Sequence, residues 1–263
     1  MTAYIFSQEK NKFYDEVVSF LSSQGIECVT STANADFTVV LGGDGSVLGA
    51  GRQGVPNPIV VINTGHLGFL TSSGKENYQD TLKHFLEGNY TLTKRRTLRV
   101  QMVCPISIER YNAVNEVVIT KNQLSKLIQL KVYIMERDDP TYKELVSEYR
   151  ADGLIVATPT GSTAYNLSAG GPIIHPSCES FVITPICSHG LTQRPLVLPG
   201  NMKVRIESMD SSLYMSVDGQ DGCPMWGNVD VWYNSHCIET VNPHEDSYFQ
   251  ILRQKLGWGV RPV

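Results

Sequence analysis

Residues 42–48 read GGDGSVL, three glycines around one carboxylate, directly after the apolar run FTVVL. A strand that enters a glycine turn and then a helix leaves backbone N–H groups pointing outward. The helix N-terminus adds about half a positive charge. Gly42, Gly43 and Gly45 would bring amides close to a phosphate, with the Ser46 hydroxyl beside them. Asp44 is an anion set inside that anion site. A carboxylate has a use there if it takes a proton from an attacking hydroxyl or holds a cation on the phosphates. The bland reading is a strand-to-helix turn capped by Asp44 or Ser46, and spacing alone gives it about half the weight.

A second stretch, DGLIVATPTGSTAYNLSAGGP (152–172), carries four hydroxyls in six residues: Thr158, Thr160, Ser162 and Thr163. They follow an apolar strand and precede a short helix stopped by Gly170-Gly171-Pro172. Such a surface suits ribose or amide groups, and Tyr165 offers a face for a flat ring. The bland reading, an N-cap by Ser162 or Thr163 with Tyr165 in the core, covers only some of these residues. A third feature is Asn115-Glu116 inside the apolar run AVNEVVI. Side chains alternate along a strand, so one of the two would face the interior or a cleft. Taken by themselves, these two residues favour a bulged Asn115 and a solvent-facing Glu116.

Several familiar designs are excluded. The chain has no G-x-x-x-x-G-K-[ST] and no H-R-D or D-F-G, and its glycines at 43, 45 and 49 miss the dinucleotide fingerprint by one residue. Six cysteines without a C-x-x-C pair argue against zinc and predict free thiols, several of them buried. The histidines show no metal-ligand spacing and read as structural. A net charge of −4 and a pI near 5.9 argue against a nucleic-acid binder. The one basic cluster, Lys94-Arg95-Arg96 with Arg99, reads first as a solvated face and second as a phosphate contact. No window has the ~20 apolar residues of a membrane span and the start lacks a secretory signal, so a cytoplasmic protein is expected.

The elements that must position these residues fall into two groups. Up to about residue 90, strand and helix alternate: strands at Ala3–Phe6, Phe37–Leu41 and Pro58–Ile62, helices over Phe13–Leu21 and Glu76–Leu86. This predicts a small α/β domain with a mainly parallel sheet. Beyond it, short apolar runs dominate: Leu98–Val103, Ala113–Thr120, Leu127–Ile134, Gly153–Ala157, Phe181–Ile186, Lys203–Glu207 and Leu213–Val217. Turn residues such as PGN (199–201) and VDGQDG (217–222) separate them, which predicts a β-rich, sandwich-like domain. The expected division is 1–95 and 96–244. The tail of about 245–263 is a candidate to pack back on the first domain, and pattern leaves Tyr248–Leu256 open between strand and helix.

Taken together, GGDGSVL (42–48), NTGHLGFL (63–70), NEVVI (115–119), DGLIVATPTGSTAYNLSAGGPI (152–173) and RQKLGWG (253–259) resemble the NAD kinase family, in the family's order. GGDG alone is shared with phosphofructokinases and lipid kinases; the TPTGSTAY block is far more specific. The resemblance implies ATP-dependent phosphorylation of the adenosine ribose 2′-hydroxyl of NAD, with a divalent cation, usually Mg2+, and assembly as a dimer or tetramer. It implies Asp44 as the catalytic carboxylate and Gly42, Gly43, Gly45 and Ser46 as the phosphate loop, with Ser46 where threonine is commonest. Asn115, Glu116 and Asp152 would hold the dinucleotide. Thr163, Ala164 and Tyr165 would line the adenine pocket, with Phe69 and Ser168 close by and Asp218 approaching from the β-rich domain. Rival readings are a lipid or sugar-phosphate kinase sharing the turn, or a non-catalytic NAD(P) sensor. Polyphosphate in place of ATP, and NADH in place of NAD, stay open.

Overall fold

A strand buried on both faces needs a near-continuous apolar run, and FTVVL supplies one; all five residues of Phe37–Leu41 are buried. The structure, a computed structural model, describes residues 1–8, 12–65, 68–71, 73–104, 107–122, 126–136, 141–208, 210, 213–242 and 248–258. The chain divides into two compact units. Unit 1 comprises Met1–Ala50, Gly54–Thr93 and Ile238–Val263, and unit 2 comprises Gly51–Gln53 and Lys94–Cys237.

In unit 1, β1 (Thr2–Ser7), β2 (Glu27–Val29), β3 (Phe37–Leu41) and β4 (Ile59–Asn63) form a parallel sheet in the order β4-β3-β1-β2. Registers such as Ala3↔Phe37 and Thr38↔Ile59 set β1, β3 and β4 side by side, and a short β5 (Ser73–Gly74) extends β4. Helix α1 (Lys12–Ser23) buries Phe13, Val17 and Leu21, one residue per turn, against Ile5, Val39 and Val60. Helix α2 (Asp44–Gln53) starts at the end of β3, and α3 (Tyr78–Leu86) adds Leu82 and Phe85 to the same core.

Unit 2 is antiparallel. The chain enters through β6 (Thr91–Val103), which pairs with β7 (Ile108–Ala113). Then come β8 (Glu116–Lys121), β9 (Ile128–Glu136), β10 (Lys143–Ala151), β11 (Gly153–Ala157), β12 (Ser180–Ile186) and β13 (Leu196–Pro199). The last strands are β14 (Met202–Ser208), β15 (Leu213–Val217), β16 (Asp221–Met225) and β17 (Asn228–Asn242). One sheet runs β13-β12-β11-β8-β15-β16, and β10-β9-β14-β17 form a second layer. Their facing side chains make one core, with Val117, Leu154, Val156 and Phe181 from the first layer and Leu130, Val132, Val204 and Val231 from the second. The other face of β11, Ile155 and Ala157, packs with Ile174 and Val182. That explains why β11 is apolar throughout, and this is the sandwich the turn spacing predicts. Among the described residues no helix is long and apolar enough to cross a membrane.

The structure departs from the pattern in a few places. β6 starts seven residues before the expected Leu98, since TLTKRRT alternates rather than reading apolar. That alternation corrects the basic cluster: Arg95 is buried, while Arg96 lies on the other face and pairs with Glu179 at 2.5 Å. β10 and β17 were not expected, because KELVSEYRA and NVDVWYNSHCIETVN carry too many polar residues to stand out. The open segment Tyr248–Leu256 is a helix, α5, which buries Leu252. All six cysteines are free as expected, but none is fully buried: Cys178 and Cys187 are exposed and the others are partly covered. Cys28 and Cys223 sit on β2 and β16, which are edge strands among the described residues.

Phe181, fully buried between the layers of unit 2, anchors that core. Phe181→Ala is expected to cost about 3–5 kcal/mol, read from urea unfolding; a loss under about 1 kcal/mol would contradict this packing.

Candidate functional site

Helix α2 begins at Asp44, so Gly43 is the residue just before it, and its carbonyl accepts from the amides of Ser46 and Val47. Neither Asp44 nor Ser46 is therefore the helix cap. The Asp44 carboxylate turns instead to the 63–70 segment: Oδ2 accepts from the Phe69 amide at 2.8 Å and Oδ1 from the Leu70 amide at 3.0 Å. Gly68 makes this approach possible, because a Cβ there would lie 1.9 Å from Asp44 Oδ1. Each carboxylate oxygen still has acceptor capacity, and Asp44 is only partly covered. Gly42 has φ +147°, and a Cβ on it would meet the Ser46 hydroxyl at 2.1 Å, so the turn demands glycine at that position. A cavity of about 230 Å3 opens beside it, lined by Ser7, Gln8, Gly42, Gly43, Ser46 and Thr64, with Phe13 and Leu41 as its apolar part. A polar hollow at a helix N-terminus can take an anion. Phe69, partly buried, has the Lys255 ammonium 6.0 Å from its ring centroid.

In unit 2 the expected strand Ala113–Thr120 is broken. β7 ends at Ala113, β8 starts at Glu116, and Val114-Asn115 form a bend. The cause is a single buried carboxylate. Asp218 accepts from three successive amides: Val114 at 3.0 Å, Asn115 at 2.8 Å and Glu116 at 3.1 Å. From the other side, the Thr158 hydroxyl donates to the Val114 carbonyl at 2.7 Å and the Thr158 amide to the Asn115 carbonyl at 2.8 Å. Gly161 presses on the same bend, since a Cβ there would lie 2.2 Å from the Asn115 oxygen. With its backbone so fully engaged, the bend is fixed in place.

Asp218 can do this because it sits in a tight hairpin turn between β15 and β16. Asp218 and Gly219 have φ of 52° and 63°, and the Gln220 amide donates to the Val217 carbonyl. Asp-Gly is the favoured pair for such a turn. Its side chain is wholly enclosed. The expectation that it approaches a ligand therefore gives way to a supporting role under the bend. Glu116 is also buried, at 5% exposure, against the solvent-facing reading, and its Oε2 has no hydrogen-bond partner. Burial and the neighbouring Asp218 charge push its carboxyl up to about 8. Burial raises Asp218 as well, while the three amides and Arg52 pull it down. Of the two, Asp218 carries the charge, because its four donors serve an anion, and Glu116 keeps the proton.

The TPTGSTAY loop is less open than its composition suggests. Ser162 Oγ donates to the Pro159 carbonyl and receives the Ile174 amide, and Thr158 is engaged by the bend. Thr160 is buried, so of the four hydroxyls only Thr163 stays at the surface, partly covered and donating to the Thr160 carbonyl at 3.2 Å. Asn166 ties the loop down through Ser162, Pro172 and Thr184. Ala164 is partly covered, while Tyr165, 44% exposed, and Ser168 face outward on α4 (Tyr165–Ser168). Tyr165 is thus free to stack and is not a core residue.

The structure gathers Asn115, Glu116, the Thr163–Ser168 segment and, beneath them, Asp218. It does not bring Asp152 to them. β8 and β11 run antiparallel with Glu116 opposite Ala157. Asp152 precedes the other end of β11, about 16 Å from Ala157 along the strand. There it pairs with Lys121 at 2.5 Å. Sequence reasoning missed Gly68 and Arg52, and it read the Thr158 hydroxyl as facing a ligand and not the Val114 carbonyl. Gly68 lay within a motif already singled out. Arg52 gave no signal, since its partner Asp218 is 166 residues away. Among the described residues no group of three or more His, Cys, Asp or Glu could hold a metal ion.

Comparison with known proteins gives the following likenesses. A family model described as the ATP-NAD kinase N-terminal domain matches residues 4–90, and the ATP-NAD kinase C-terminal domain matches residues 114–241. An NAD kinase of Solibacter usitatus is 40% identical over 237 residues, covering 87% of this chain and 79% of that protein. An NAD kinase of Wolinella succinogenes is 34% identical over 281 residues, covering 96% and 92%. The crystal structure of yeast NADH kinase complexed with NADH matches with a TM-score of 0.86, covering 100% of this chain and 89% of that one. At 22% identity that is a likeness of fold. An NAD kinase from Archaeoglobus fulgidus in complex with ATP matches with a TM-score of 0.80 at 25% identity, covering 98% and 99%.

Glu116 yields a pH test. Its carboxyl titrates at 4.5 in an open chain and at about 8 when folded. Between those values the unfolded chain releases a proton that the folded one keeps, so stability is full below the lower value and falls as pH rises to the upper, by about 1.4 kcal/mol per unit at most. Glu116→Gln removes this slope, and thermal melts from pH 5 to 8.5 are expected to show the variant gaining on the parent with rising pH. Parallel curves would show that Glu116 is not held neutral.

Proposed function

This chain belongs to the ATP-NAD kinase family, and we propose that Asp44 is the carboxylate that activates the acceptor hydroxyl in its reaction. The protein is an NAD kinase, transferring the γ-phosphate of ATP to the adenosine ribose 2′-hydroxyl of NAD to give NADP. Neither a lipid or sugar-phosphate kinase nor a sensor is favoured, since the relatives over most of the chain are named NAD kinase. One observation carries the reading of the site: a partly exposed carboxylate, fixed by two amides, stands at a helix N-terminus beside a polar cavity.

Phosphoryl transfer needs an oxygen nucleophile in line with the γ-phosphorus and donors for the charge around it. In this reading the donor phosphates lie in the cavity against Gly42, Gly43 and Ser46. The Phe69 and Leu70 amides hold the Asp44 carboxylate in one orientation, ready to take the 2′-hydroxyl proton. Asn115 and Glu116 hold the dinucleotide. Glu116, neutral at neutral pH, offers a hydroxyl donor as well as an acceptor. Tyr165 stacks on the adenine, with Thr163, Ala164, Ser168 and Phe69 as further neighbours. A divalent cation, which we take to be Mg2+, suits the donor set: Mg2+ is usually bound by one or two carboxylates plus substrate phosphates, where it neutralises charge. Asp44 is the carboxylate present at the loop. Self-association as a dimer or tetramer and a cytoplasmic setting belong to the same proposal and rest on the family alone.

The test is an assay of NADP formation with NAD or NADH as acceptor and ATP or polyphosphate as donor, each with Mg2+. Purified protein is expected to make NADP from NAD and ATP; calorimetric NAD binding without turnover would support the sensor instead. Asp44→Asn is expected to lower kcat by roughly 100- to 10,000-fold while NAD still binds. Near-normal turnover by that variant would remove Asp44 as the base.

A further inference from the structure

Arg52 stands at the end of the helix that GGDG begins, yet it belongs with unit 2. Its guanidinium reaches three residues of the β15–β16 turn: Nη1 to Asp218 at 3.3 Å, Nη2 to the Gln220 side-chain oxygen at 2.8 Å and Nε to Asp221 at 2.8 Å. The Arg52 carbonyl accepts from the Asn112 amide nitrogen at 3.2 Å, and Asn112 accepts in turn from Asn234. The three side-chain bonds differ in character. Asp221 is half exposed, so water competes for that bond, whereas the Asp218 carboxylate has no exposed surface. Asp218 in turn accepts the amides of Val114, Asn115 and Glu116.

We propose that Arg52 is a positioning residue for the dinucleotide, fixing the Asp218 turn and, through that carboxylate, the bend that presents Asn115 and Glu116. The inference rests on the reading that those two side chains hold NAD. Arg52 contacts only the hairpin turn and the Asn112 side chain in the interactions described, so its action passes through Asp218. A planar fork serving three acceptors in fixed directions cannot be reproduced by an ammonium, which is a point charge on a flexible stem. Lysine would keep the charge beside Asp218 and lose the direction. The buried charge stays neutralised and the fold stays intact, while the hairpin turn is no longer held in register with the bend. The damage should therefore appear in binding of the acceptor and not in the phosphate loop.

Steady-state kinetics of Arg52→Lys, Asn115→Ala, Glu116→Ala and the Arg52→Lys/Glu116→Ala pair provide the test. Arg52→Lys is expected to raise KM for NAD about tenfold with a smaller fall in kcat and KM for ATP within about twofold of the parent. The double variant should raise KM for NAD by less than the product of its single effects, since both act through one bend. Amide exchange at Val114, Asn115 and Glu116 should quicken in Arg52→Lys, a readout that holds even where turnover is too low to measure. If Asn115→Ala and Glu116→Ala leave KM for NAD unchanged, the binding reading fails, and this inference with it. If those two raise it while Arg52→Lys does not, or if the effects multiply, or if exchange at the three amides is unaltered, Arg52 has no positioning role.

Discussion

A buried carboxylate is costly unless donors surround it, and Asp218 is surrounded by three consecutive backbone amides and a guanidinium. That one cluster of hydrogen bonds dictates the shape of unit 2 at its functional end. It stops β7, turns the chain at Val114-Asn115 and restarts it as β8 with Glu116 inside. The bend would otherwise leave three amides without ladder partners, because neither β7 nor β8 can use them. The Asp-Gly turn supplies the geometry: an aspartate tolerates positive φ and carries a side chain short enough to point back under its neighbours.

Unit 1 uses the same device with a different outcome. Asp44 also sits in a glycine turn, two residues after Gly42 with its positive φ, and its carboxylate also takes successive amides, those of Phe69 and Leu70. Asp218 has four donors and no exposed surface, so nothing else can reach it. Asp44 has two donors and remains partly exposed, which leaves lone pairs directed at solvent or a ligand. The number of amides and the degree of enclosure thus separate an aspartate that supports structure from one that can act. Sequence spacing does not draw that distinction, since both residues sit in a D-G pair.

Much of the architecture was legible because apolar periodicity reports burial directly. FTVVL, apolar but for Thr38, and GLIVA are buried throughout; Phe13, Val17 and Leu21 lie at helical spacing and share one face. Two strands escaped notice: β10 lies at a sheet edge with Lys143, Glu144 and Glu148 exposed, while β17 buries the polar residues Asp230, Asn234 and Thr240, so neither reads as an apolar run. The site was legible as motifs and not as roles. Gly42 and Asp44 stand out by type, and Tyr165 is exposed as a stacking residue must be. The hydroxyls of Thr158 and Ser162 read as ligand contacts, but both bond the backbone, one holding the Asn115 bend and one the loop itself. A hydroxyl looks the same in sequence whether it faces a ligand or a carbonyl. Long-range partners such as Arg52 and Asp218 have no local signature at all.

The charge balance at the phosphate loop follows from these placements. A helix N-terminus carries about half a positive charge, and Asp44 in the first turn carries a full negative one. The two interact favourably, which helps to explain why an aspartate is tolerated there, but together they leave no net positive field for a triphosphate. Among the described residues the cavity beside Gly42 is lined by hydroxyl, amide and backbone groups with Phe13 and Leu41, and by no Lys or Arg. A P-loop solves this problem with a lysine that the present loop lacks. On the reading proposed above, a donor held here would arrive with most of its charge already neutralised, as a complex with a divalent cation would be. In that proposed setting the one carboxylate at this loop, Asp44, would serve both the cation and the acceptor proton.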